Sequence, residues 1–170
     1  MDLISSDTNI WIDFSVIDCL NLPFLLPYQY IMYYDAIEYE FLFPADLSKK
    51  LVKLGLTGVE LSIDEFSLAD SYALKYHKLS RFDCIALAIA KMRNIFLFTG
   101  DDALRKAAAM ENISVFGTIG VLDQLYQRNL IISSKYLYCL EQLASLNGKK
   151  VRLPMQELNK RIEKIKAGIL

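Results

Sequence analysis

The sequence predicts an α/β protein: a three-layer α/β/α sandwich on a central parallel sheet of about five strands, with a helical C-terminal extension. Three observations carry this. Short apolar runs alternate with helix-length amphipathic stretches as far as Phe116. Two of those runs end directly in acidic turns, Ser6-Asp7-Thr8-Asn9 after Leu3-Ile4 and Thr99-Gly100-Asp101-Asp102 after Ile95-Phe96-Leu97-Phe98. Beyond Gly117-Thr118-Ile119-Gly120 the spacing is helical throughout.

In chain order, Asp2 to Ser6 reads as a strand, and a helix-like pattern follows Asp7. The greasy segment from Leu20 to Tyr34 is interrupted by Asn21, Pro23, Pro27 and Gln29, well short of the ~18 apolar residues of a membrane span. It reads as a buried loop leading into a strand from Gln29 to Met32. Three- and four-residue apolar spacing predicts helices over Asp35 to Phe41 and Ala45 to Leu54, and β-branched and apolar residues predict a strand over Val59 to Ile63. Asp64 and Glu65 then supply negative charge to the first turn of a helix ending near Lys75. Ser80 is placed to cap a helix from Phe82 to Arg93, and Asn94 suits a left-handed stop before a strand from Ile95 to Thr99. The same grammar gives a helix from Ala103 to Met110, a stop at Asn112 and a strand from Ser114 to Phe116. Three helices complete the chain: Val121 to Tyr126, Ser133 to Leu146, and Pro154 to Ile165, with Pro154 at the first helical position. In the last, Met155, Leu158, Ile162, Ile165 and Ile169 form an apolar stripe that can close over the domain or serve an interface, and Lys160, Arg161, Lys164 and Lys166 form a basic, solvated face.

Composition narrows the classes. A chain of 170 residues with 54% apolar and 12% aromatic residues fits one domain, read here as a single domain over residues 1–170 with a core to about residue 126. A formal charge of −1 gives no global basic field, so any nucleic acid must be held locally. Cys19, Cys84 and Cys139 are odd in number and far apart, which argues for reduced core thiols rather than a disulfide framework or thiolate zinc site. The acidic start at Asp2, broken by Ser5 and Ser6, shows no export signal, so the expected location is cytoplasmic with no membrane association. His77 is the single histidine, so triads and zinc schemes that need imidazole lack their parts, and its expected role is at the surface. No phosphate-cradling glycine loop is present.

Four acids stand where strands end or helices begin: Asp7, Glu40, Asp83 and Asp101. In a parallel sheet those positions meet on one edge, the edge at which ligands bind. Each alone reads equally well as an N-cap, a turn acid or a dipole partner. Together they would repel unless a cation offset them, and oxygen donors without histidine or cysteine suit Mg²⁺ or Mn²⁺. Glu38 competes with Glu40 for its role. Asn9, Thr99 and Asp102 are supporting candidates, Asp102 equally an acid that opens a helix.

The stretches Ser6-Asp7-Thr8-Asn9, Leu79-Ser80-Arg81-Phe82-Asp83, Leu97-Phe98-Thr99-Gly100-Asp101-Asp102 and Gly117-Thr118-Ile119-Gly120 resemble, in this order, those of PIN-domain ribonucleases. The likeness covers residues 3 to 125 and is closest to prokaryotic PIN proteins, many of them VapC-like toxins of toxin–antitoxin pairs. The resemblance implies a PIN-like fold and a metal-dependent endoribonuclease in which Asp7, Glu40, Asp83 and Asp101 bind Mg²⁺ or Mn²⁺ and carry catalysis. It also implies an RNA substrate, 5′-phosphate and 3′-hydroxyl products, a homodimer, and a small antitoxin protein lying across the groove in toxin members. Arg81, Arg105 and Lys106, with Lys75 and Lys78, lie near enough in sequence to the acids to contact RNA, or are ordinary solvated charges. Arg81 departs from the pattern, standing two residues before Asp83 where similar proteins often carry an apolar residue.

Overall fold

The computed structural model describes residues 2–41 and 46–169. Its elements run β1 (Asp2–Ser6), α1 (Thr8–Val16), a short 3-10 turn (Leu22–Leu25), β2 (Tyr28–Tyr33), α2 (Tyr34–Tyr39), α3 (Leu47–Leu54), β3 (Thr57–Val59) and α4 (Ile63–Lys75). They continue with α5 (Arg81–Met92), β4 (Phe96–Phe98), α6 (Asp102–Met110), β5 (Val115–Phe116), α7 (Thr118–Gln127), α8 (Ser133–Leu146) and α9 (Met155–Lys166). The chain divides into two compact units, Met1–Ile10 with Pro27–Phe116, and Trp11–Leu26 with Gly117–Leu170.

The first unit holds an all-parallel, five-stranded sheet in the order β3-β2-β1-β4-β5, flanked by helices. Parallel strands covered by helices must be apolar on both faces, and β1 meets this with Ile4 and with two serines whose hydroxyls are satisfied inside. Ser5 donates to the Ala86 carbonyl at 2.9 Å and Ser6 to the Ile31 carbonyl at 3.2 Å. The central helix is α5, in which every residue from Cys84 to Ala90 is buried, so it is apolar all round and packs against β1, β2 and β4. Its start is set by a reciprocal capping box between Ser80 and Asp83, and its end by Asn94 at φ 50°. Asn112 makes the equivalent left-handed stop after α6, at φ 57°.

One strand lies elsewhere than the pattern suggests. The Val59 to Ile63 run is strand only at its first residue; β3 begins earlier, at Thr57, and Ile63 already belongs to α4. Ser62 is the reason: its hydroxyl accepts from the Glu65 amide at 3.1 Å while Glu65 accepts from the Ser62 amide at 2.8 Å, a second capping box that starts a helix inside an apolar run. Arg93 then clamps Glu65 at 2.6 Å, which pulls that carboxyl below its ordinary range. Gly58 lets the Tyr34 ring lie on β3, where a β-carbon would stand 2.7 Å from Cδ2 of that ring. The expected helix start at Ala45 lies outside the described residues.

The second unit is helical. Trp11 stacks on Phe24, with ring centroids 5.2 Å apart. The buried Asp13 carboxylate accepts from the buried Thr118 hydroxyl at 2.5 Å, at the first residue of α7. Burial raises the Asp13 pKa to about 6, against the lowering effect of that bond. Cys19 and Cys139 are buried free thiols with sulfurs 3.7 Å apart. Helix α9 starts one residue later than expected, with Pro154 as the cap, and packs on α8. Leu158 of its stripe is fully buried, whereas Met155 and Ile169 remain exposed. Among the described residues no helix is long and apolar enough to cross a membrane.

Candidate active site

Strand order creates the site. β1 lies between β2 and β4, so the chain leaves β1 toward one side of the sheet and returns later on the other, which opens a crevice at the carboxyl ends of β1 and β4. Ser6 is in register with Phe98, and the Asp7 amide continues the ladder onto the Phe98 carbonyl at 2.9 Å. Asp7 and Thr99, the next residue after each strand, therefore emerge side by side. The Thr99 hydroxyl donates to Asp7 Oδ2 at 2.8 Å and accepts from the Asp101 amide at 3.0 Å, so one buried oxygen positions both acidic turns.

Asp7 is 5% exposed, with Oδ1 on the Thr8 amide at 2.6 Å and Asn9 Nδ2 on Oδ2 at 3.2 Å. Its pKa is raised to about 7, first by burial and then by the charge of Asp83, with a further push from Glu40. Burial likewise raises Asp83, which the neighbouring Asp101 charge reinforces, and raises Glu40, which also feels Asp83. The four acids thus share one electrostatic field in the first unit. Glu40, the C-cap of α2, is held by the Thr8 hydroxyl, whereas Glu38 is exposed beside Lys49 and Lys53. Below the acids, Ser6, Asp7, Tyr33, Glu40 and Phe82 line a crevice of about 10 Å³, room for about one water.

None of the four acids forms an ion pair among the described residues. Mutually repelling carboxylates, Asp7 buried and the other three half-buried, without a cationic partner among the described residues suit a hard divalent cation, and the donor set contains no nitrogen or sulfur. Their oxygens are not gathered into a finished cage: no three such groups among the described residues stand ready to hold an ion. Local donors explain this. Asp83 Oδ2 accepts from the Ser80 amide at 2.7 Å, Asp101 Oδ1 caps α6 through the Leu104 amide at 2.8 Å, and Glu40 Oε2 takes the Thr8 hydroxyl. Each of these three carboxylates keeps its other oxygen free of a hydrogen bond among the described residues.

The basic candidates are dispersed. Arg105 Nη1 reaches the Thr99 carbonyl at 3.3 Å and so lies beside the acidic turn. Arg81 lies over the Phe66 ring at 5.3 Å. Lys106 pairs with Asp102 at 2.6 Å, which makes Asp102 an exposed helix-opening acid, and Lys75 pairs with Glu111 at 2.7 Å. Lys78 and His77 are exposed in the turn after α4. Thr8 is the site residue the pattern did not single out. Its partner Glu40 stands 32 residues away, and no local signal foretells that pairing.

A parallel sheet with acidic turns at its switch point defines an open α/β fold with a candidate ligand crevice at that edge. The family DUF3368, described as a PIN domain, matches residues 3–167, and the chain belongs to the PIN-domain family. Comparisons with curated proteins and with solved structures gave no match. PIN domains are generally nucleases.

Proposed function

We propose that the protein is a divalent-metal-dependent endoribonuclease. The observation that supports this best is Asp7: a nearly buried carboxylate, fixed by Thr99, its pKa raised first by burial and then by the charges of Asp83 and Glu40, with no ion-pair partner among the described residues. Asp7, Glu40, Asp83 and Asp101 would hold Mg²⁺ or Mn²⁺, which when bound promotes in-line attack of water on a phosphodiester and offsets charge on the leaving oxygen. Thr99 fixes the spacing of Asp7 and Asp101, Thr8 and Asn9 orient Glu40 and Asp7, and Arg105 faces a substrate phosphate. Arg81 and Lys106 can serve RNA only by leaving Phe66 and Asp102. Products carry 5′-phosphate and 3′-hydroxyl ends.

Reduced, buried thiols support a cytoplasmic setting. The family match spans both compact units and supports one domain over residues 1–170. Homodimerisation and control by a small antitoxin rest on the resemblance to VapC-like proteins; a small antitoxin-like reading frame beside the gene supports the toxin role, and a solitary gene favours RNA processing. A second reading, a binding module without catalysis, is favoured by the hydrogen bonds that turn Asp83, Asp101 and Glu40 onto local donors.

Cleavage of mixed RNA with Mn²⁺ or Mg²⁺, beside DNA and small phosphate esters, tests the proposal. Metal-dependent RNA cleavage that Asp7→Asn and Asp101→Asn abolish is expected. Cleavage that survives Asp7→Asn, or no cleavage by the wild type, overturns it.

A further inference from the structure

Charge is divided unevenly along the chain. The segments of the first unit carry ten Lys and Arg against fourteen Asp and Glu, and those of the second carry nine against six. Seven of those nine cations fall between Lys149 and Lys166, a stretch whose own acids are Glu157 and Glu163; Arg161 and Lys166 pair outside it, with Asp123 and Glu141. Within the second unit, α7, α8 and α9 surround an open concavity of about 210 Å³ whose lining includes Tyr126 and Tyr136, the cations Lys160, Arg161 and Lys164, and the acids Asp123 and Glu157.

The walls of this concavity differ in kind. Arg161 is consumed internally: Nε spans both Asp123 oxygens at 2.9 Å, Nη2 adds a bond at 2.8 Å and Nη1 reaches Glu157 at 2.6 Å. Asp123 also accepts the Tyr136 hydroxyl at 2.6 Å, so the buried Tyr136 ring is locked. Tyr126 stacks on it, with centroids 4.7 Å apart and planes 14° apart, which gives the half-buried Tyr126 a rigid backing. Lys160 and Lys164 are different. They stand one helical turn apart, exposed, and neither forms an ion pair among the described residues. Like charges at that spacing repel each other, and the Glu157 carboxylate that acts on both is hydrogen-bonded by Arg161, so a further anion between the lysines relieves the repulsion.

We propose that this concavity is a subsite for single-stranded RNA, Lys160 and Lys164 holding backbone phosphate and Tyr126 stacking a base. A backed aromatic beside paired, flexible cations is the combination that binds unpaired strands without reading sequence. An acidic peptide would use the lysines but would gain little from the aromatic platform. The inference rests on the ribonuclease reading for its choice of RNA, and the residues that carry it all belong to the second unit.

Fluorescence anisotropy of the full chain with a labelled single-stranded RNA of about ten nucleotides, in EDTA so that nothing is cut, tests it. Lys160→Ala/Lys164→Ala should weaken binding roughly tenfold and flatten the slope of log affinity against log salt by about 1.4. Tyr126→Leu should weaken binding about tenfold and leave the slope unchanged. Both lysines are exposed, so the double variant should keep the wild-type melting temperature. Wild-type affinity and slope in the double variant overturn the proposal, as do an absence of RNA binding by the wild type and equal competition by polyglutamate. A protein that binds RNA through these lysines but does not cut it with Mn²⁺ loses the nuclease reading and keeps the subsite. One that cuts RNA while the double variant binds normally does the reverse.

Discussion

The Thr99 hydroxyl donates to Asp7 Oδ2 at 2.8 Å across 92 residues of sequence, and it is fully buried. The same oxygen accepts the Asp101 amide, so Thr99→Val removes two bonds that join the acidic turns while keeping the side-chain shape. Denaturant unfolding should show a loss of about 1 to 2 kcal/mol. The Thr99 bond lowers the Asp7 pKa, so the variant's Asp7 should titrate higher still by carbon-13 NMR. An unchanged Asp7 titration contradicts this linkage.

Asp7 itself should destabilise the metal-free fold at neutral pH. Its folded pKa of about 7 lies above the ordinary 3.8, so the folded state binds the proton more tightly than the unfolded state. Stability therefore falls as pH rises from near 4 to near 7, and the full penalty applies above that window. Asp7→Asn should melt higher than the wild type at pH 7.5 in EDTA, with the difference vanishing near pH 4. A variant no more stable than the wild type at pH 7.5 is the contrary result.

Ser80→Ala tests how Asp83 is aimed. Its hydroxyl caps the Asp83 amide at 3.1 Å, and the backbone amide of Ser80 holds Asp83 Oδ2. Loss of the cap should cost about 1 kcal/mol in thermal unfolding. Because bonding at Ser80 lowers the Asp83 pKa, the acidic limb of any pH–activity profile should shift upward in the variant. A fall in stability with an unmoved profile would restrict Ser80 to a helix cap.

Legibility in the sequence followed locality. β1, the left-handed stops at Asn94 and Asn112 and the Ser80 cap depend on residues within a few positions, and all appear as the pattern predicts. The third strand was displaced because two overlapping signals competed in Val59 to Ile63, and the Ser62–Glu65 capping box won. The crevice at Asp7 and Thr99 could be anticipated from strand alternation alone. What each cation does could not: Arg81 on Phe66, Lys106 on Asp102 and Lys75 on Glu111 are choices among partners that only packing supplies. The Thr8–Glu40 and Asp13–Thr118 bonds join distant residues in the same way.

Calorimetric titration of Mn²⁺ into the full-length wild type, Asp7→Asn and Asp101→Asn measures directly whether these carboxylates form one cation site. Saturable binding by the wild type, lost or severely weakened in both variants, is the expected result. Equal binding by all three, or no binding by the wild type, contradicts it.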